Sequence, residues 1–186
     1  MKMKPWILML VVMLYASLPA AAQSDIYTTS QGSITFFSSA PLEDIEAKNN
    51  KVISLINTRN NEIAVRVPIK QFQFRNRLMQ EHFNENYMES ERYPHATFKG
   101  KINEAIDFQK PGTYDVSSTG VLNIHGVNQK RTLKGKLIIT NPGMTLTTEF
   151  DVLLEDHRIK IPRVVFNKIA ERIAVTTSFN YSRQGK

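Results

Sequence analysis

Between Glu62 and Lys70 the chain reads EIAVRVPIK, with Ile63, Val65, Val67 and Ile69 on one side of a two-residue period and Ala64, Arg66, Pro68 and Lys70 on the other. Successive side chains of a strand point to opposite faces, so this run has one wholly apolar face and one mostly polar face. A chain made of such runs must close its apolar faces on each other. The pattern recurs. Gly32 to Ser39 sets Ile34 and Phe36 against Phe37, and Val52 to Asn57 forms a hairpin pattern with the Glu62 run across Asn57 to Asn61. Tyr114 to Ile124 is extended, and Arg131 to Thr140 sets Leu133, Gly135, Leu137 and Ile139 against Thr132, Lys134 and Lys136. Met144 to Leu154 places Met144, Leu146, Phe150, Val152 and Leu154 together, and Glu171 to Tyr181 ends with Ile173, Val175, Phe179 and Tyr181 in alternation. Pro111-Gly112, Gly126 to Lys130 and Asn141-Pro142-Gly143 read as turns. Pro41 to Asn50 reads as a polar, acidic connection anchored by Leu42 and Ile45, with Asn49-Asn50 as a turn. Pro68 cannot donate to a ladder and predicts a bulge or a sheet edge. Arg158 to Ile173 is less regular, with a helical patch expected around Val164 to Ala170.

One stretch, Gln71 to Ile102, breaks the period. Phe72 and Phe74 keep strand spacing, but Leu78, Met79, His82 and Phe83 then recur at three and four residues, one face of a short helix, opposite Gln80, Glu81, Asn84 and Glu85. Asn76 is suited to cap it. Tyr93-Pro94 ends the polar connection that follows, because the residue before proline is pushed out of the helical region. Ala96, Phe98, Gly100 and Ile102 then resume the alternation against Thr97, Lys99 and Lys101. A helix of two to three turns has too small an apolar face to stand alone and must cover something, such as an open end of a β-structure.

About eight antiparallel strands joined mostly by tight turns make either an up-and-down barrel or a sandwich. The inserted helix favours a barrel with a lid, and a barrel of that size can be filled by side chains or can hold one small ligand. The expected inward set is Phe36, Val65, Val67, Phe72, Phe74, Phe98, Leu122, Leu146, Phe150 and Val175, with Leu78, Met79, His82 and Phe83 contributed by the lid. These residues offer almost no polar partner, as an apolar ligand requires.

Composition narrows the function. The sequence of 186 residues contains no cysteine, which removes thiol catalysis and thiolate metal sites. Met1 to Ala22 has Lys2 and Lys4 ahead of a mostly apolar Trp6 to Leu18 and a small-residue Ala20-Ala21-Ala22. It reads as a secretory signal peptide, cleaved near Ala22 to leave a single domain over 23–186 in the periplasm or outside the cell. The formal charge of +7 falls by two with the loss of Lys2 and Lys4, and the basic residues (Lys70, Lys99, Lys101, Lys134, Lys136) stand singly along strands. That is the pattern of a solvated outer face and not of nucleic-acid binding. It allows a transient contact with an anionic membrane surface, and monomer and homodimer both stay open.

The enzyme alternative rests on His82, His95, His125 and His157, with Glu81 and Glu85 close to the first. His82 with Glu85 could serve acid–base chemistry, but the two-histidine spacing of a zinc protease is absent, as are GxSxG, P-loop and GxGxxG sequences. His125 reads as a residue that fixes a turn, His95 as a solvent-facing or hydrogen-bonded residue at the start of a strand, and His157, in Glu155-Asp156-His157-Arg158, as part of an exposed polar turn. Neither catalytic residues nor a cofactor or metal are expected.

LMQEHFNENYMES (Leu78 to Ser90) followed by YPHATFKGKI (Tyr93 to Ile102), then GVLNIHGV (Gly120 to Val127), with APLEDIEAKN (Ala40 to Asn49) near the start, resemble in order the motifs of the YceI-like family. The resemblance covers nearly all of the chain after the signal. It implies an all-β fold, an antiparallel up-and-down eight-stranded lipocalin-like barrel with one short helix inserted after Phe74. It also implies storage or transport of a long apolar lipid, such as a polyisoprenoid or isoprenoid quinone, in a periplasm-like space. The Ala40 to Asn49 loop resembles one branch of the family, for which the alternative is a non-catalytic stress-related barrel that binds a different lipid, such as a fatty acid or an amide-type lipid, or no lipid.

Overall fold

The structure, a computed structural model, describes residues 25–161 and 169–184. The expected signal segment and most of the expected helical patch at Val164 to Ala170 lie outside the described residues.

In chain order the strands are β1 (Ile26–Ser39), β2 (Asp44–Asn57), β3 (Glu62–Pro68), a two-residue β4 (Gln73–Phe74), β5 (His95–Ile102), β6 (Gly112–Ile124), β7 (Val127–Ile139), β8 (Met144–Leu153) and β9 (Arg172–Arg183). Helix α1 (Arg77–His82) follows β4 and runs directly into a wider π-turn at Phe83–Tyr87. Each long strand pairs antiparallel with its neighbour, and β1 pairs with both β2 and β9. The sheet therefore closes on itself as an eight-stranded barrel, with β4 added alongside β2 through Phe74 opposite Ala47 and Gln73 opposite Lys48. Closure removes the exposed edges that an open sheet of this length would present.

Asn76 caps α1 as its residue type requires, its side chain accepting from the Leu78 N–H at 2.8 Å. Several boundaries differ from expectation. Pro41 to Asn50 is not a connection: apart from a short turn it belongs to β2, and Asn49 is fully buried within that strand. The β1–β2 register shifts between Gly32 and Ile34. At that bulge the Asn49 side chain replaces missing ladder bonds, donating to the Pro68 carbonyl and accepting from the Lys51 N–H, each at 2.8 Å. Pro68 is the last position of β3, paired with His95 of β5 but beyond the β2 ladder, which ends at Arg66. It stands at a local edge as expected, after which Ile69–Gln71 makes one 3-10 turn. The expected five-residue turn at Gly126 to Lys130 is instead a two-residue hairpin at His125 and Gly126, with β7 starting at Val127. Both turn residues have positive φ, 53° and 73°, the geometry that matches the twist of a two-residue hairpin. A side chain at Gly126 would also strike the Tyr93 ring at 2.5 Å.

The two ends of the barrel differ in pairing. Near the Asn57–Glu62 and Thr140–Gly143 turns the β2–β3 and β7–β8 ladders run through to the turn, while β1–β9 is interrupted between Thr28 and Ser33 and β5–β6 pairing ends at Ile102 and Ser118. Toward α1, β2 pairs with β3 only from Ile53 to Asn57, and β7 pairs with β8 only from Gly135 to Ile139. The first seam is filled by the segment carrying Phe72 and β4. Across the second, the Arg131 guanidinium donates to the Asp151 carbonyl at 2.8 Å.

Candidate functional site

The opened end encloses a cavity of about 490 Å³. Its walls come from the inward positions of the strands, and the parity of the sequence dictates which those are. Phe36 on β1, Val65 and Val67 on β3, Phe72 and Phe74 on the inserted segment, Phe98 on β5, Leu122 on β6, Leu146 and Phe150 on β8 and Val175 on β9 all line it. Leu78, Met79, His82 and Phe83 line it from the lid. The structure therefore brings every residue of the expected set onto one surface.

The lid is held by aromatic contacts. The Phe83 ring lies 5.0 Å from that of Phe74 and 5.5 Å from those of Phe36 and Phe72, nearly parallel to Phe36. Such contacts each add about 0.5–1.5 kcal/mol beyond area burial. The first turn of α1 is much less engaged, with Leu78 56% exposed. At its far end the lid is tied down by the His125 hairpin. His125 Nε2 is 2.9 Å from the Glu89 carboxylate and Nδ1 is 3.2 Å from the His157 carbonyl, while the ring meets Tyr93 edge-on at 4.5 Å. The expected turn-fixing histidine thus pins two further segments to its turn. Glu89 itself takes a positive φ of 42° to reach it.

His157 is not in an exposed polar turn. The 3-10 turn Glu155–His157 turns its ring inward, where it is fully buried and neither ring nitrogen has a hydrogen bond of ordinary geometry. Burial holds the imidazole below its usual pKa, opposed in part by the nearby backbone of Val127 and Ile124. His95 is exposed at the start of β5. His82 is exposed at the cavity mouth and its imidazole makes no hydrogen bond among the described residues, while Glu81 is taken by Arg77 at 2.9 Å. Among the described residues no group of three or more histidines and carboxylates could hold a metal ion.

Sequence reasoning missed part of the wall. Ile34, Leu133 and Phe179 share strand parity with named residues and were legible in principle. Ser118, Thr148 and Thr177 also have inward parity, but their polarity masks it. Tyr87 and Met88 reach the cavity through the π-turn, which no spacing announces; burial raises the Tyr87 phenol pKa. The described lining carries only two other titratable side chains, Glu43 and His82, and no lysine or arginine.

Fold and cavity together define a closed antiparallel barrel with a lidded, apolar interior. The chain belongs to the YceI-like family: the YceI-like domain model matches residues 21–181. Solved structures agree in fold. A polyisoprenoid binding domain from Saccharophagus degradans, implicated in plant cell wall breakdown, superposes with a TM-score of 0.70 at 14% identity, covering 87% of this chain and 99% of that one. BcnA of Burkholderia cenocepacia gives 0.63 at 12% identity, covering 81% and 96%. The Campylobacter jejuni YCEI protein gives 0.54 at 15% identity, covering 69% and 78%. No curated protein matches the sequence.

Proposed function

We propose that the chain is an exported, non-catalytic carrier that holds a long apolar lipid of the polyisoprenoid or isoprenoid-quinone class in the barrel for storage or transport. The observation that carries this reading is the cavity, an apolar space of about 490 Å³ built from aromatic and branched side chains beneath a partly engaged helix. Each buried methylene contributes about 0.8 kcal/mol. A chain of several isoprene units therefore gains well over ~10 kcal/mol before the ~4–15 kcal/mol cost of association, and tight binding needs no ionic contact. A fatty acid is the weaker alternative, since its carboxylate would meet no cation on the described wall and burying a bare charge is costly. The polyisoprenoid-binding domain with the same fold supports the choice of lipid. Export rests on the signal-like first 22 residues, and with a modest basic excess the carrier meets membrane surfaces only transiently.

Mass spectrometry of an organic extract of the purified mature protein tests the reading. A reproducible isoprenoid at near-stoichiometric yield is the expected result. An extract without lipid, together with no uptake of added polyprenol, would sink it. Peptide mapping should place the mature N-terminus at Gln23, and recovery of Trp6 in the mature species would contradict export by cleavage.

A further inference from the structure

The inner part of the cavity wall is not wholly apolar. Ser118 is the innermost residue of β6 to line it, since the next inward residue, Val116, belongs to the packed core. Ser118 is 6% exposed, and its hydroxyl has no hydrogen-bond partner among the described residues. Thr177 on β9 is 5% exposed and also faces the cavity. Its hydroxyl lies 2.8 Å from that of Thr148 on β8, its register partner. Thr148 leans its methyl group over Gly135, where a Cβ would come within 2.7 Å of it, and this turns its hydroxyl toward Thr177. Two hydroxyls that share one bond still leave one O–H and several lone pairs to satisfy. Valine or alanine at these three positions would finish the apolar wall, and a buried hydroxyl without a partner costs about 1–3 kcal/mol.

Resting on the lipid-carrier reading, we propose that the Thr148–Thr177 hydroxyl pair forms a subsite that receives an uncharged hydrogen-bonding group, a hydroxyl or carbonyl, at the buried end of the ligand, with Ser118 a separate hydroxyl two strands away on the same wall. Hydroxyls can donate to a carbonyl and accept from an alcohol. A phosphate or carboxylate does not fit there, because the described lining offers no cation to offset its desolvation. The carrier thereby selects amphiphiles that enter polar end first and leave the chain under α1.

The test is titration of the delipidated mature protein with three probes of similar chain: squalene, a polyprenol and the corresponding polyprenyl phosphate. Polyprenol should bind about ten-fold more tightly than squalene, the worth of one to two hydrogen bonds, and the phosphate more weakly than the alcohol. Thr177→Val should remove most of the polyprenol advantage and Ser118→Ala a smaller part, each by weakening polyprenol binding while squalene binding rises as a hydroxyl leaves the apolar wall, with thermal melting confirming that each variant folds. Equal affinity for squalene and polyprenol, or variants that weaken both alike, would overturn the subsite while leaving the carrier reading intact. Phosphate binding above the alcohol would overturn it too. Failure of all three probes to bind would overturn both.

Discussion

The barrel has two ends built from one sequence pattern. At the end closed by the Asn57–Glu62 and Thr140–Gly143 turns, Val52, Ile56, Ile102, Leu137, Met144 and Tyr181 are all within 4% of complete burial, and none of them lines the cavity. At the other end Phe36, Val65, Phe74, Phe83, Phe150 and Val175 face inward yet stay only partly buried. Apolar alternation is the same in both. The β2–β3 and β7–β8 seams differ: at the first end they stay paired through to their turns, while at the second they part and the wall moves outward. Inward parity therefore fixes which residues face the axis, and the parting of these two seams decides where they no longer meet. The packed end should supply stability and the hollow end should supply binding, a division that mutation can break.

The largest effect is expected from Leu137→Ala. Its side chain is fully buried and away from the cavity, so truncation should cost about 2–5 kcal/mol in urea denaturation, equally with and without ligand. A cost that vanished on loading would show the packed end to be part of the binding site. Next comes Ser54→Ala. Ser54 Oγ donates to the Ala64 carbonyl at 3.0 Å, so in the 2.7 Å contact with Tyr181 the phenol is the donor. Burial already pushes that phenol well above its ordinary pKa, against the opposing Ser54 hydrogen bond. Removing its acceptor should cost about 1–3 kcal/mol, and adding Tyr181→Phe should recover part of the loss. No recovery in the double variant would mean that packing, not the orphaned hydroxyl, sets the cost.

Phe83→Ala probes the hollow end. The ring lines the cavity and is only partly buried against Phe36, Phe72 and Phe74. Lipid affinity should fall by about 1–2 kcal/mol, in proportion to lost apolar contact, while the empty protein loses less. If thermal melting of the empty variant drops as far as that of the loaded one, the helix is a plug in a core and not a lid.

Much of the barrel could be read from alternation, because the period of two assigns each residue a face without any tertiary knowledge. What could not be read is where that period is interrupted by structure. Asp44 to Asn50 looked like a loop because it is polar, yet Asn49 satisfies a bulge that only the paired strand reveals. Lys99, Lys101, Lys130 and Lys134 look scattered along the chain, and the register gathers them on one outer wall across β5, β6 and β7. Ser118, Thr148 and Thr177 share inward parity with apolar neighbours, but a polar side chain at an inward position looks in sequence like an outward one. The charged neighbours of His157 point to solvent, yet the ring is fully buried, and its burial has the clearest consequence.

That consequence gives the smallest predicted effect and the one that best separates the two ends. His157 lies beside the mouth, under the His125 hairpin, with no part in the packed core or the cavity wall. Burial lowers its pKa in the folded protein, whereas the unfolded chain keeps a value near ~6.5. Above that pH both states hold the imidazole neutral and no stability depends on it. As pH falls below ~6.5 the unfolded chain takes up a proton first, so stability declines until the folded pKa is passed. The charge must appear where the Glu155–His157 turn and the Glu89–His125 contact hold the lid. Hydrogen exchange at pH 5 and pH 7.5 should therefore show faster opening of the lid and of the 154–161 segment at the lower pH, with Ile56 and Leu137 amides little changed. His157→Gln keeps approximate volume without a titrating group, and His82, His95 and His125 are present in both proteins, so the difference between variant and parent isolates this ring. Uniform acceleration across both ends, or an unchanged pH response in His157→Gln, would show that the mouth is not a separately opening unit and that the two ends unfold as one.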